Sequence, residues 1–308
     1  MMVYQDPFAL LEEHHAQAGR IILGVEYNGA VFHGWQRQEA GVPSIQEHLE
    51  QALSHIAREG ITVTCSGRTD TGVHATGQVV HFDTTAARPA KAWVMGANTH
   101  LPQDIRVRWA MPAQSEDFHA RYTAVARRYR YIIYNHRIAP ALLHDQMTHC
   151  REPLDVDRMH QAAQCLVGEH DFSAFRASGC QSSTPWREIH FVRVVRQGLM
   201  VVIDIQGNAF LHHMVRNIAG SLIAVGNGNQ TEAWFSQVLA SRDRTQAGVT
   251  APANGLHFVA ALYPTRFELP LPPLGPHYLA LNEALDAPYP QLDPGWRRHT
   301  LSPQMEEG

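Results

Sequence analysis

Lysine is almost missing from this chain. Among the 25 basic residues only Lys91 is a lysine, and the rest are arginine. Genomic base composition explains such a bias, although arginine also forks onto phosphates and stacks on bases in ways lysine does not. An excess of positive charge is missing too. Net charge is −4 and the isoelectric point is near 6.6, so any nucleic-acid partner has to be held by a local basic patch. No apolar run approaches the roughly 20 residues of a membrane helix. The first residues, MMVYQDPFALLEEHHAQAGR, lack the basic start and apolar stretch of a signal peptide, which predicts a cytoplasmic protein. The four cysteines, Cys65, Cys150, Cys165 and Cys180, form no C-x-x-C pair. That argues against a zinc ribbon, and their wide spacing fits reduced thiols.

What is present suits a globular enzyme. A length of 308 residues suggests two domains, and 44% hydrophobic residues suffice for a core. IILGVEY at 21–27 reads as a strand. Residues 44–58 read as a helix, with Ser44 and Glu47 as a capping box and Ile45, Leu49, Leu53 and Ile56 on one face. Strands are expected at 61–66, 78–83, 105–110, 122–134, 189–196, 199–206 and 256–263, and helices near 90–97, 155–167, 211–225 and 231–241. The pattern predicts a mixed α/β protein with largely antiparallel sheet. The first 18 residues carry a weak amphipathic helical signal. From about residue 265, PLPPLGP and PYPQLDPGW predict an extended or mobile tail.

Three segments carry chemistry. In Gly67-Arg68-Thr69-Asp70-Thr71-Gly72-Val73-His74 a carboxylate sits among small residues just after a strand, either as a catalytic group or as a cap on local amides. Asp70-Thr71-Gly72 is also the aspartic-protease triplet, but those enzymes need a second carboxylate to share a proton. No second copy exists here. Phe118 to His144 contains Arg121, Arg127, Arg128, Arg130 and Arg137 with interleaved tyrosines and no acid. Alternation places Arg128 and Arg130 on one strand face, opposite Tyr129 and Tyr131, either to track phosphates or as an ordinary solvated face. Third, Asn208 to Asn217 carries adjacent His212 and His213. Neighbours on a helix point about 100° apart and make a poor metal pair, so no metal is expected.

Taken together, VEYNGAVFHGWQRQ, GRTDTGVHATGQVVHF, FHARYTAVARRYRYIIYN, EHDFSAFRA, CQSSTPWR and NAFLHHMVRN resemble, in order and spacing, the A-type tRNA pseudouridine synthase family. Thr71 stands where the usual motif has Ala. The resemblance implies two related α/β domains, each a largely antiparallel sheet flanked by helices, meeting in a basic cleft. The divisions expected are an extension at 1–20, a catalytic subdomain at 21–115, a second at 116–265 and a Pro-rich tail at 266–308. It implies isomerisation of uridine to pseudouridine in the anticodon stem-loop of tRNA by a homodimer, with no cofactor. Asp70 becomes the nucleophile and Arg216 its cationic partner. Arg68 helps extrude the target nucleotide, and Tyr129 stacks on the uracil and is a candidate for the C5 proton. Further tRNA contacts map to Arg88, to Phe118, His119, Ala120, Arg121 and Tyr122, to Arg137, and to Gly179, Cys180, Gln181, Ser182 and Ser183. Ser183 is often basic in relatives. The rival readings are a non-catalytic RNA-binding module and a dimeric aspartic hydrolase.

Overall fold

The computed structural model describes residues 16–39, 41–270 and 274–279. Residues 1–15 of the expected N-terminal helix and the Pro-rich stretch from residue 280 lie outside these. In chain order the elements are β1 (Gln17–Tyr27), α1 (Ile45–Ala57), β2 (Thr64–Cys65), β3 (His74–Arg88), a π-helical turn at Ala92–Gly96 running into α2 (Ala97–His100), and β4 (Ile105–Pro112). Then come β5 (Ala126–Asn135), β6 (Thr148–Cys150), α3 (Val156–Ala163), β7 (Gly168–Asp171), β8 (Trp186–Gln197), β9 (Met200–Gly207), α4 (Met214–Gly226), α5 (Glu232–Ser241) and β10 (Leu256–Leu262).

The strands form one sheet in the order β4-β1-β3-β10-β5-β9-β8-β7, with β2 against β3 and β6 against β5. Neighbours are antiparallel except β5–β6 and a two-residue parallel contact between β3 and β10, where His74 faces His257 and Ala75 faces Phe258. The C-terminal strand therefore joins the earlier strands to the later ones, directly after the GRTDTG loop. The mixed, mainly antiparallel sheet with flanking helices agrees with the expected fold class.

Local chemistry sets the helix ends. Ser44 accepts from the Glu47 amide, and Ile45, Leu49 and Leu53 are buried along one face of α1. Thr231 caps α5 in the same way. α4 starts at Met214, three residues later than the periodicity predicts, because His213 takes a left-handed backbone (φ 59°).

β5 overturns the surface reading of its arginines. Arg128 and Arg130 are each 1% exposed and share the buried carboxylate of Asp204 on β9. Arg128 Nε donates to Oδ1 at 2.7 Å and Arg130 Nε to Oδ2 at 3.2 Å. These two cations are spent inside the protein and track no phosphate. Arg130 Nη1 also donates to the carbonyls of Leu274 and Gly275, and Leu279 is buried. Residues 274–279 of the Pro-rich stretch thus pack against the sheet.

Candidate active site

The GRTDTG loop is held from several sides. The Gln78 amide donates to the Gly67 carbonyl at 2.7 Å, and Tyr27 shares a 2.8 Å hydrogen bond with the Thr69 hydroxyl. The Trp35 amide donates to the Thr69 carbonyl, and the Gly29 amide donates to His74 Nδ1. Two glycines allow this crossing of loops. Gly34 (φ 88°) lies so close that a Cβ would meet the Thr69 carbonyl at 2.8 Å, and Gly72 turns with φ 78°. A carboxylate on such a loop is positioned by rigid strands.

Asp70 is partly exposed and meets the side-chain nitrogens of three residues from the other half of the chain. Arg216 Nη1 on α4 lies 3.5 Å from Oδ2, His213 Nε2 lies 3.4 Å from Oδ2, and His212 Nε2 lies 3.5 Å from Oδ1. Arg216 is itself anchored, since its Nε donates to the Ala251 carbonyl at 2.9 Å. A cleft of about 380 Å³ opens above them, lined by His33, Gln36, Thr69, Asp70, Thr71, His212, His213 and Arg216. Among the described residues, Asp70 is the only acid in that lining. Its lining sets one guanidinium, from Arg216, and three imidazoles, from His33, His212 and His213, against that carboxylate. Thr71, where Ala is usual, is exposed on the cleft, so its larger side chain meets no core.

The sequence brought Asp70 and Arg216 into view but missed His33 and Gln36, and it read the His212–His213 pair on a wrong premise. The two residues precede α4, their rings lie 4.0 Å apart, and both reach the distant carboxylate that a local reading could not supply. Asp70, His212 and His213 offer ligand atoms within 4.8 Å of one another. Charge opposes a metal there. A divalent ion on this carboxylate would sit within a few ångströms of the Arg216 guanidinium and be repelled by several kcal/mol.

The remaining predicted residues are distributed unevenly. Arg68 is exposed beside Asp70. Tyr129 is nearly buried, edge-on to Phe210 and Phe258 at 5.0 Å from each, and a Cβ on Gly67 would sit 3.8 Å from its hydroxyl. Burial pushes this phenol well above its ordinary value, against a smaller opposing pull from Arg127. In the 118–122 segment the Phe118 and Ala120 side chains are fully buried, while Arg121 and Tyr122 are exposed and Tyr122 stacks on His119 at 4.3 Å. Arg127 ties this segment to the start of the GRTDTG loop by donating to the carbonyls of both Arg121 and Ser66, the residue before Gly67. The loop carrying Gly179, Cys180, Gln181, Ser182 and Ser183 reaches the site through Cys180, whose sulfur accepts from the His212 amide at 3.4 Å. Arg88, at the far end of β3, bonds to the Ile56 carbonyl, and Arg137 is exposed beyond β5; neither lines the cleft.

A carboxylate met by a guanidinium and two imidazoles in an open cleft fits the active site of an enzyme. Comparison with known proteins agrees. A family model described as tRNA pseudouridine synthase matches residues 24–123 and 162–264. The protein named tRNA pseudouridine synthase A from Escherichia fergusonii is 60% identical over 261 residues, covering 85% of this chain and 96% of that protein. The same-named protein of Shigella boydii serotype 4 is 59% identical over the same lengths. The chain belongs to the tRNA pseudouridine synthase family, a family of isomerases.

Proposed function

We propose that this protein isomerises uridine to pseudouridine in the anticodon stem-loop of tRNA, with Asp70 engaging the ribose of the target nucleotide. The observation that carries this reading is the convergence of Arg216, His212 and His213 on Asp70 in a cleft that holds no other acid among the described residues. Isomerisation breaks the N1–C1′ bond and joins C5 to C1′. Positive charge develops at the anomeric carbon, which a carboxylate stabilises, as in glycosidases. Arg216 pairs with that carboxylate at 3.5 Å and fixes its orientation.

Arg68, exposed beside Asp70, is suited to fill the space left by an extruded nucleotide and to contact phosphate. His119, Arg121 and Tyr122, with the 179–183 loop, extend the surface available to the anticodon arm. Arg88 and Arg137 are more peripheral tRNA contacts. The division proposed near residue 115 falls in the connection between β4 and β5, and β10 then bridges the strands of the two parts within one sheet. The working unit is a cytoplasmic homodimer with tRNA touching both copies.

A hydrolase sharing a proton between two carboxylates fits poorly, since the cleft lining offers one carboxylate with a guanidinium 3.5 Å away. A passive RNA-binding module leaves this arrangement around Asp70 without a purpose. The test is position-resolved mapping of an unmodified tRNA incubated with the protein. Pseudouridine in the anticodon arm is expected; RNA binding with no pseudouridine, or modification only elsewhere, contradicts the reading.

Tyr129 serves as the ring on which the uracil stacks. A phenol raised by burial is a poor proton acceptor at neutral pH. Tyr129→Phe keeps the ring and is expected to retain tRNA affinity and turn over within about tenfold of the wild type. Loss of the ring in Tyr129→Ala removes stacking worth roughly 1–3 kcal/mol. Single-turnover rates and tRNA affinities of the two variants check this, and a Phe variant slowed by about a thousandfold would return the proton to the phenol.

A further inference from the structure

Joining C5 to C1′ leaves a proton that must move. When the N1–C1′ bond breaks, its electron pair stays with the uracil. When C5 then bonds to C1′, C5 carries both the ribose and its original hydrogen, and the ring holds a C6=N1 double bond. Loss of the C5 proton restores C5=C6, and the electron pair passes to N1, which takes up a proton. The sum is the transfer of one proton from C5 to N1, with no oxidant or co-reactant. Whatever Asp70 does at the ribose, it returns as a carboxylate. The reaction therefore needs a group near Asp70 that accepts a proton and gives it back.

The geometry points to His213 as the base that takes the C5 proton and returns it towards N1. The inference rests on the reading of Asp70 as the residue engaging the ribose, because C5 lies against C1′ once the new bond has formed. His213 Nε2 is 3.4 Å from Asp70 Oδ2. That is longer than the 2.7–3.2 Å of an ordinary hydrogen bond, so the ring nitrogen is not committed to the carboxylate. The residue is held in place by its backbone. It occupies the left-handed region at the start of α4 (φ 59°), between Leu211 and Met214, both buried, and its carbonyl accepts from the Asn217 amide at 2.9 Å. A strained non-glycine backbone of this kind is often found where a side chain must be aimed. His212 is the more exposed of the pair, with 45% of its side chain accessible against 28%.

The groups facing His213 are Asp70 on the loop, Arg216 on α4, His212, and Arg244 on the 3₁₀ turn Arg244–Gln246; His33 lines the same cleft. Burial and repulsion from Arg216, His212 and Arg244 outweigh attraction by Asp70 and hold the imidazole below its ordinary value. The ring is thus neutral at pH 7 and able to accept a proton. Because the neutral form is the active one, the rate falls on acidification through a pKa below 6.5.

The test is single-turnover kinetics of the full-length chain on tRNA carrying uridine deuterated at C5, measured from acid to neutral pH. His213→Asn is the variant of choice, since Asn tolerates the left-handed backbone. It should bind tRNA like the wild type and react about 100-fold more slowly. It should also lose the acid limb of its pH profile and show a primary deuterium effect larger than that of the wild type. A purely structural role for His213 moves the rate without creating an isotope effect. The inference is overturned if His213→Asn binds tRNA but reacts within about threefold of the wild type, or if the isotope effect emerges in His212→Gln or Tyr129→Phe instead. Neither outcome touches the reading of Asp70, which is tested separately by the turnover and tRNA affinity of Asp70→Asn.

Discussion

Asp70→Asn should stop pseudouridine formation, with a loss greater than about ten-thousandfold, as expected when a reacting group is removed. Its affinity for tRNA should stay equal to that of the wild type or rise. Asn keeps the shape of Asp and removes only the charge. In the cleft that charge faces Arg216, His212 and His213 and repels phosphate, so deleting it leaves the surface more positive. The salt dependence of binding should hardly change, because the cations that contact phosphate are all still present. Rate and affinity therefore move independently. A variant that loses tRNA binding along with activity would place Asp70 in the architecture of the cleft, and one that retains turnover would remove it from the chemistry.

Asp204→Ala should cost about 3–5 kcal/mol of stability, because it leaves two guanidiniums buried without their carboxylate. Asp204 is fully buried and takes hydrogen bonds from both Arg128 and Arg130, whose own exposure is 1% each. Urea denaturation of the free protein measures the loss. Where the variant is folded, its tRNA affinity should remain close to normal, since these side chains occupy the strand face opposite Tyr129 and reach no solvent. A stable Asp204→Ala protein with weakened tRNA binding would restore the phosphate-tracking role that alternation on β5 suggests.

That contrast marks what can be read from the sequence and what cannot. Alternation on β5 correctly separates Arg128 and Arg130 from Tyr129 and Tyr131. It does not say which face meets water, because the deciding partner, Asp204, lies 74 to 76 residues away on β9. α1 is legible to within a residue because its cap and apolar stripe are local. β6 and β7 are missed because THC and GEHD, three and four residues long, carry no alternating apolar signal and exist through pairing with β5 and β8.

The site divides in the same way. Asp70 stands out because its loop motif is compact, and Arg216 because its segment falls in the family pattern. His212 and His213 are discounted when helical geometry is extended over them, and one left-handed residue cancels that geometry. Their common target lies more than 140 residues earlier in the chain, a separation only the folded sheet closes. Phe118 and Ala120 fall within a contact motif yet point into the core, since a segment that borders RNA must also anchor itself.

The most direct test of an aspartate-centred uridine isomerase is to incubate an unmodified tRNA transcript with the purified protein and map pseudouridine at single-nucleotide resolution, with Asp70→Asn alongside. Pseudouridine confined to the anticodon arm with the wild type, and none with the variant although it binds the same tRNA, is the predicted result. Equal modification by both proteins, or none by a wild type that binds the tRNA, would contradict it.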